Sequence, residues 1–112
     1  MEALIYLHAN EIHHRDIKLE NIFVKEDYTL KLGDFGFATK MKFSCSRSIG
    51  TQAYLAPECM YSTSFSNLKM DLWALGIVIF CLVVGRPPFE NAARDNKHFR
   101  LLMDGEVEEF WR

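Results

Sequence analysis

The sequence predicts an α+β fold that is mainly α. Residues 72–84 (LWALGIVIFCLVV) form an apolar run of 13 between Asp71 and Arg86. A bilayer crossing needs about 20 such residues, so the run reads as a helix buried in a core. Leu4, Ile5, Leu7 and His8 recur at helical spacing. Ile22 and Val24, then Leu30 and Leu32, alternate on either side of the polar residues 25–28, which is the pattern of a short hairpin.

Taken in order, residues 1–9 read as the end of a helix, followed by a loop, the hairpin and a second loop. Residues 44–51 (SCSRSIGT) are small and polar, as suits a surface loop. Pro57 is placed for the first turn of a short helix, where its missing N–H costs nothing. Ser66 or Asn67 can cap the apolar helix, and Gly85 followed by Pro87 and Pro88 can stop it. Residues 95–104 fit a further helix, with Phe99, Leu102 and Met103 as its apolar stripe and Gly105 as its stop.

At 112 residues, nearly half apolar, the chain has the size and composition of one domain or part of one. Thirteen basic and 15 acidic residues are mixed along it, for a net charge of −2. That balance points away from nucleic acid and from a polybasic membrane patch. The three cysteines, Cys45, Cys59 and Cys81, are odd in number and widely spaced, unlike a disulfide framework or a paired metal site. With no signal-peptide pattern after Met1, the expected setting is intracellular, cytoplasmic or nuclear.

The chemistry is concentrated in two loops. His14, Arg15, Asp16, Lys18 and Asn21 stand together as HRDIKLEN just before the hairpin, and Asp34, Phe35 and Gly36 follow it. Because the hairpin folds back, the two loops can meet at one site. The first segment resembles the catalytic loop of protein kinases and the second resembles their metal-binding turn. Ala56, Pro57 and Glu58, then Asp71, Trp73 and Gly76, follow in the order that family has. About 14 positions agree, each matched by chance roughly once in twenty.

The resemblance implies a serine/threonine protein kinase that uses ATP and Mg2+. Phosphoryl transfer depends mostly on alignment and charge neutralisation. By resemblance, Asp16 accepts the hydrogen bond of the substrate hydroxyl, Lys18 sits against the γ-phosphate, and Asn21 and Asp34 hold magnesium, a hard ion that takes oxygen ligands. Lys18, and Gly50 and Thr51 with Tyr54, resemble serine/threonine rather than tyrosine kinases, with Thr51 bonding to Asp16 and Lys18. The segment GRPPFENA resembles the calcium/calmodulin-dependent and polo-like branches. Glu20 is either a contact for basic residues upstream of the phosphorylated position or a solvated loop acid. Phe23 is a floor under the adenine, a core aromatic, or both.

Phe35 and His14 are expected as packing residues, and Asp71 as the acceptor of backbone hydrogen bonds from the catalytic loop. His8, His13 and His14 lack the spacing of a zinc site, so histidine-held metal is not expected. Phosphorylation between Asp34 and Glu58 is expected to activate, at Ser48 first and Ser46 next, with Arg15 pairing the phosphate and Thr51 reserved for the site. The alternative reading is that these serines only keep a surface loop soluble.

The resemblance covers nearly all of residues 1–112 but only part of a kinase domain. It implies the C-terminal lobe, with catalytic loop, hairpin, activation segment and two following helices. The small lobe, the hinge and the last helices, including the arginine partner of Glu58, are not matched. The partners expected are that small lobe and protein substrates bearing Ser or Thr. A noncatalytic truncated kinase or pseudokinase acting as a binding module is the alternative. Intact Asp16, Lys18, Asn21 and Asp34 argue against a pseudokinase.

Overall fold

The computed structural model describes residues 1–45 and 49–112. Helix α1 (Glu2–Ala9) leads through a loop and a 3-10 turn (Leu19–Asn21) into strand β1 (Ile22–Val24). Strand β2 (Leu30–Leu32) pairs with it antiparallel, setting Ile22 against Leu32 and Val24 against Leu30. The hairpin therefore stands where the alternation placed it. The alternation does not mark a buried face, since Val24 and Leu30 are both more than half exposed.

A second, two-residue pairing, β3 (Phe43–Ser44) with β4 (Phe65–Ser66), was not anticipated. It closes a loop that contains a 3-10 turn (Gln52–Tyr54) and helix α2 (Pro57–Tyr61), with Pro57 in the first turn. Helix α3 (Asn67–Val84) follows at once. Ser66 is its cap, its side chain accepting from Lys69 N at 3.4 Å. Gly85 ends it at φ 87°, a left-handed conformation that glycine reaches without Cβ strain.

Helix α4 (Lys97–Met103) is shorter than residues 95–104 because the Asn96 carboxamide, not Asp95, captures its first turn, accepting from Phe99 N at 3.0 Å. Its far end closes as a Schellman motif. Glu106 N donates to Leu101 O, Gly105 N donates to Leu102 O, and Gly105 stands at φ 77°. A short helix α5 (Val107–Trp111) completes the described chain and buries Phe110.

Helix α3 is the axis of the core. Met70 packs with Leu55, Ala56, Cys59 and Phe65; Ile77 and Cys81 with Phe89, Ala92 and Phe99; Ala74 and Val78 with Leu4 and Ile17. Its buried Asn67 and Asp71 are both engaged by the rest of the chain, as buried polar groups must be. Only part of its circumference is covered, however. Leu72, Ile79, Leu82 and Val83 are 50%, 47%, 70% and 80% exposed, so the helix is half buried where the sequence suggested full burial.

Candidate catalytic site

Asp71 organises the loop that precedes the hairpin. Its Oδ2 accepts the His14 N–H at 2.9 Å and its Oδ1 accepts the Arg15 N–H at 2.8 Å. His8, on the last turn of α1, lies 2.8 Å from the same Oδ2. These bonds hold Arg15 at φ 68°, a left-handed conformation that costs a non-glycine residue on the order of 1–3 kcal/mol. The consequence is a sharp turn at Arg15 that points the next residue, Asp16, into the interior, where it is 7% exposed.

Around Asp16 the side chains converge. The Thr51 hydroxyl donates to Asp16 Oδ1 at 3.3 Å while accepting from Lys18 Nζ at 3.0 Å. Lys18 Nζ also lies 3.8 Å from Asp16 Oδ2. Buried Asn21 donates through Nδ2 to the Asp16 carbonyl at 2.8 Å and to its Oδ2 at 3.2 Å. The amide proton donors of Asn21 are thus turned onto Asp16, which leaves its carbonyl oxygen as a hard donor for a cation. Gly50, at φ 99°, lets the chain bring Thr51 in against the loop.

Two bonds at Gly33 help to fasten the second loop to the first. His14 Nε2 donates to Gly33 O at 2.8 Å, and Gly33 N donates to Asn21 O at 2.9 Å. His14 Nδ1 accepts from Asp16 N at 3.2 Å, so its ring is the neutral Nε2–H tautomer. Next to Gly33, Asp34 stands at φ 54° with its exposed carboxylate accepting the Gly36 N–H at 3.3 Å. Phe35 meets the His14 ring edge-on at 4.9 Å and remains 47% exposed.

Arg15 is anchored rather than left loose. Its Nε donates to Phe37 O at 2.6 Å and its Nη1 to Ser44 Oγ at 3.0 Å. Ser44 Oγ donates in turn to Asn67 Oδ1 at 2.8 Å, and Asn67 Nδ2 donates to Met41 O at 2.8 Å. Partial burial lowers the Arg15 pKa, an effect that Asp71 opposes. Glu20 is exposed in the 3-10 turn, and Phe23 is 54% exposed. Ser46 and Ser48 lie outside the described residues.

Sequence reading missed three parts of this arrangement. Asn67 was visible only as a possible cap, and Ser44 only as a loop serine. Gly33, next to Asp34, carries a constraint with no local sequence signal: a Cβ there would lie 2.6 Å from Phe23 Cε2. The histidines also divide unexpectedly: His14 turns to Gly33, whereas His8 and His13 gather at Asp71. Among the described residues no ion pair joins Glu58, which lines a groove with Arg94 and Arg100.

Comparison with known proteins decides the family. The profile described as Protein kinase domain matches residues 1–110. The chain belongs to the protein kinase family. It is similar to Serine/threonine-protein kinase PLK1 of Xenopus tropicalis, 38% identical over 99 residues, covering 86% of this chain and 16% of that protein. Serine/threonine-protein kinase polo of Drosophila melanogaster is 41% identical over 94 residues, 81% of this chain and 16% of that protein. Serine/threonine-protein kinase ppk16 of Schizosaccharomyces pombe is 44% identical over 95 residues, 80% of this chain and 14% of that protein. This kinase chain thus spans about a sixth of the length of the first of these relatives. Its family in general uses ATP and Mg2+.

Proposed function

We propose that this chain forms the large-lobe part of a serine/threonine protein kinase, residues 1–112 supplying the catalytic loop, the metal-binding loop and the substrate platform. The observation that carries this reading is the Thr51 hydroxyl bridging Lys18 Nζ and Asp16 Oδ1. It binds a cation, a carboxylate and the segment that would receive a substrate into one unit. In this reading Asp16 accepts the proton of a Ser or Thr hydroxyl and aims its oxygen, while Lys18 stabilises charge on the transferred phosphoryl group.

Asn21 and Asp34 fit a magnesium site by donor chemistry: an amide oxygen turned free by its own hydrogen bonds, and an exposed carboxylate. Magnesium held there would neutralise phosphate charge. Asp16 and Lys18 orient the reacting groups; Asp71 and His14 keep the loops in register. Phe23 would lie under the adenine, and Glu20 would read basic residues upstream of the acceptor. Ser48 or Ser46 would be the activating phosphorylation site, the phosphate ordering its segment through Arg15.

Kinetics of the chain joined to an ATP-covering small lobe test this. Asp16→Asn should lower kcat by about 10²–10⁴-fold with ATP affinity nearly unchanged, as for loss of a positioned base. Asp34→Asn should instead weaken binding of the magnesium–ATP complex. A noncatalytic binding module would show no transfer to lose. Equal activity of Asp16→Asn and its parent would refute the assignment.

A further inference from the structure

Asp71 has a second set of neighbours. His8 comes from the end of α1, His13 from the loop before the site, and Asp71 from α3; each offers a ligand atom, and these atoms lie within 4.8 Å of one another. We propose that His8, His13 and Asp71 form a binding site for a divalent transition metal ion of the zinc class, separate from the oxygen-donor site at Asn21 and Asp34.

Two imidazoles and one carboxylate suit a borderline-soft ion and not magnesium. Around a tetrahedral ion with bonds of about 2.0–2.2 Å, neighbouring ligand atoms stand roughly 3.3–3.5 Å apart. His8 Nε2 and Asp71 Oδ2 are 2.8 Å apart, so the pair opens by about half an ångström as the ion replaces the hydrogen between them. His13 closes the remainder by side-chain rotation. Its backbone stays fixed, because its N–H and C=O are both paired with Thr39, at 2.8 and 2.9 Å.

His13 supplies the independent sign of a missing ligand. The residue is 4% exposed, yet its Nδ1 has no hydrogen-bond partner, one of two such buried side-chain nitrogens among the described residues. An orphaned buried nitrogen is costly and calls for an explanation. A lone pair waiting for a metal provides one. The His8 ring, 5.4 Å from that of His13, retains some exposure, which gives an entry path for the ion. Asp71 Oδ1 remains on Arg15 N, and Oδ2, which also accepts the His14 N–H, has a second lone pair to keep that bond while it binds the ion.

The test is titration of the full chain, freed of metal by a chelator, with zinc and with cobalt(II) in excess magnesium. One equivalent should bind, cobalt giving the intense visible absorption of a four-coordinate ion without a thiolate charge-transfer band. His13→Gln should weaken binding by about tenfold or more and abolish that spectrum, while Asp34→Asn should change neither. Circular dichroism checks that His13→Gln is folded; where it is not, His8→Gln, with its ring nearer the surface, is read in the same way. The proposal is overturned if neither metal binds, if the histidine variant binds like the parent, if Asp34→Asn removes the site, or if a thiolate band assigns the ion to cysteine.

Discussion

Replacing Asp71 by Asn keeps the size of the side chain and removes its charge, which isolates the hydrogen-bonding role. The carboxylate is fully buried and meets three groups, at 2.9, 2.8 and 2.8 Å. An amide oxygen can keep Arg15 N, but its NH2 then faces the His14 N–H, donor against donor. The His14 N–H left without an acceptor costs about 1–3 kcal/mol, and the Arg15 bond loses its charge assistance, about another 1 kcal/mol. Arg15, at φ 68°, would also lose part of what holds it there. The sum, about 2–4 kcal/mol, overlaps the usual cost of breaking a buried charged network. At an m-value of about 1.5–2 kcal/mol per M, the urea midpoint should fall by about 2 M. Equilibrium unfolding followed by circular dichroism reads this directly. A shift below about 0.5 M, with the m-value unchanged, would refute the view that Asp71 is what holds the loop.

Two further outcomes follow from side-chain geometry. Gly33→Ala should cost little stability, because Phe23 is half exposed and its ring can swing away from the new Cβ. It should nevertheless weaken ATP binding by about three- to tenfold, the worth of one aromatic contact, in calorimetric titration of the chain joined to its small lobe. An unchanged affinity would remove Phe23 from the nucleotide site. Of the three free cysteines, exposed Cys45 alone should react with a thiol reagent at pH 8 in the native chain. Cys59, its thiol pushed up to about 11 chiefly by burial and then by Glu58, and buried Cys81 should react only on unfolding.

What could be read from the sequence was local. The caps Ser66 and Gly85, the first-turn Pro57 and the hairpin around residues 25–28 are written in neighbouring residues, and each stands where that chemistry puts it. The meeting of Asp16, Lys18, Asn21 and Thr51 was legible for another reason, a family resemblance that spans distant positions. The rest is long-range or too short to show a period. Two-residue strands at Phe43–Ser44 and Phe65–Ser66 carry no alternation, and five residues, Val107–Trp111, make little more than one helical turn. Asn67 reaches Ser44 across 23 positions and His8 reaches Asp71 across 63, contacts that only the closed fold creates.

Asn67 and Asp71 are four apart on α3 and therefore share one side of a single helical turn. One grips the chain around Met41 and Ser44; the other grips the backbone of His14 and Arg15. Arg15 joins the two grips through Ser44. That turn therefore behaves as a common hub for the loop before the hairpin and the segment beyond Asp34. A small rotation of α3 about its own axis would carry both segments in the same sense, so their relative alignment would survive motions of the helix that would misplace either one held alone.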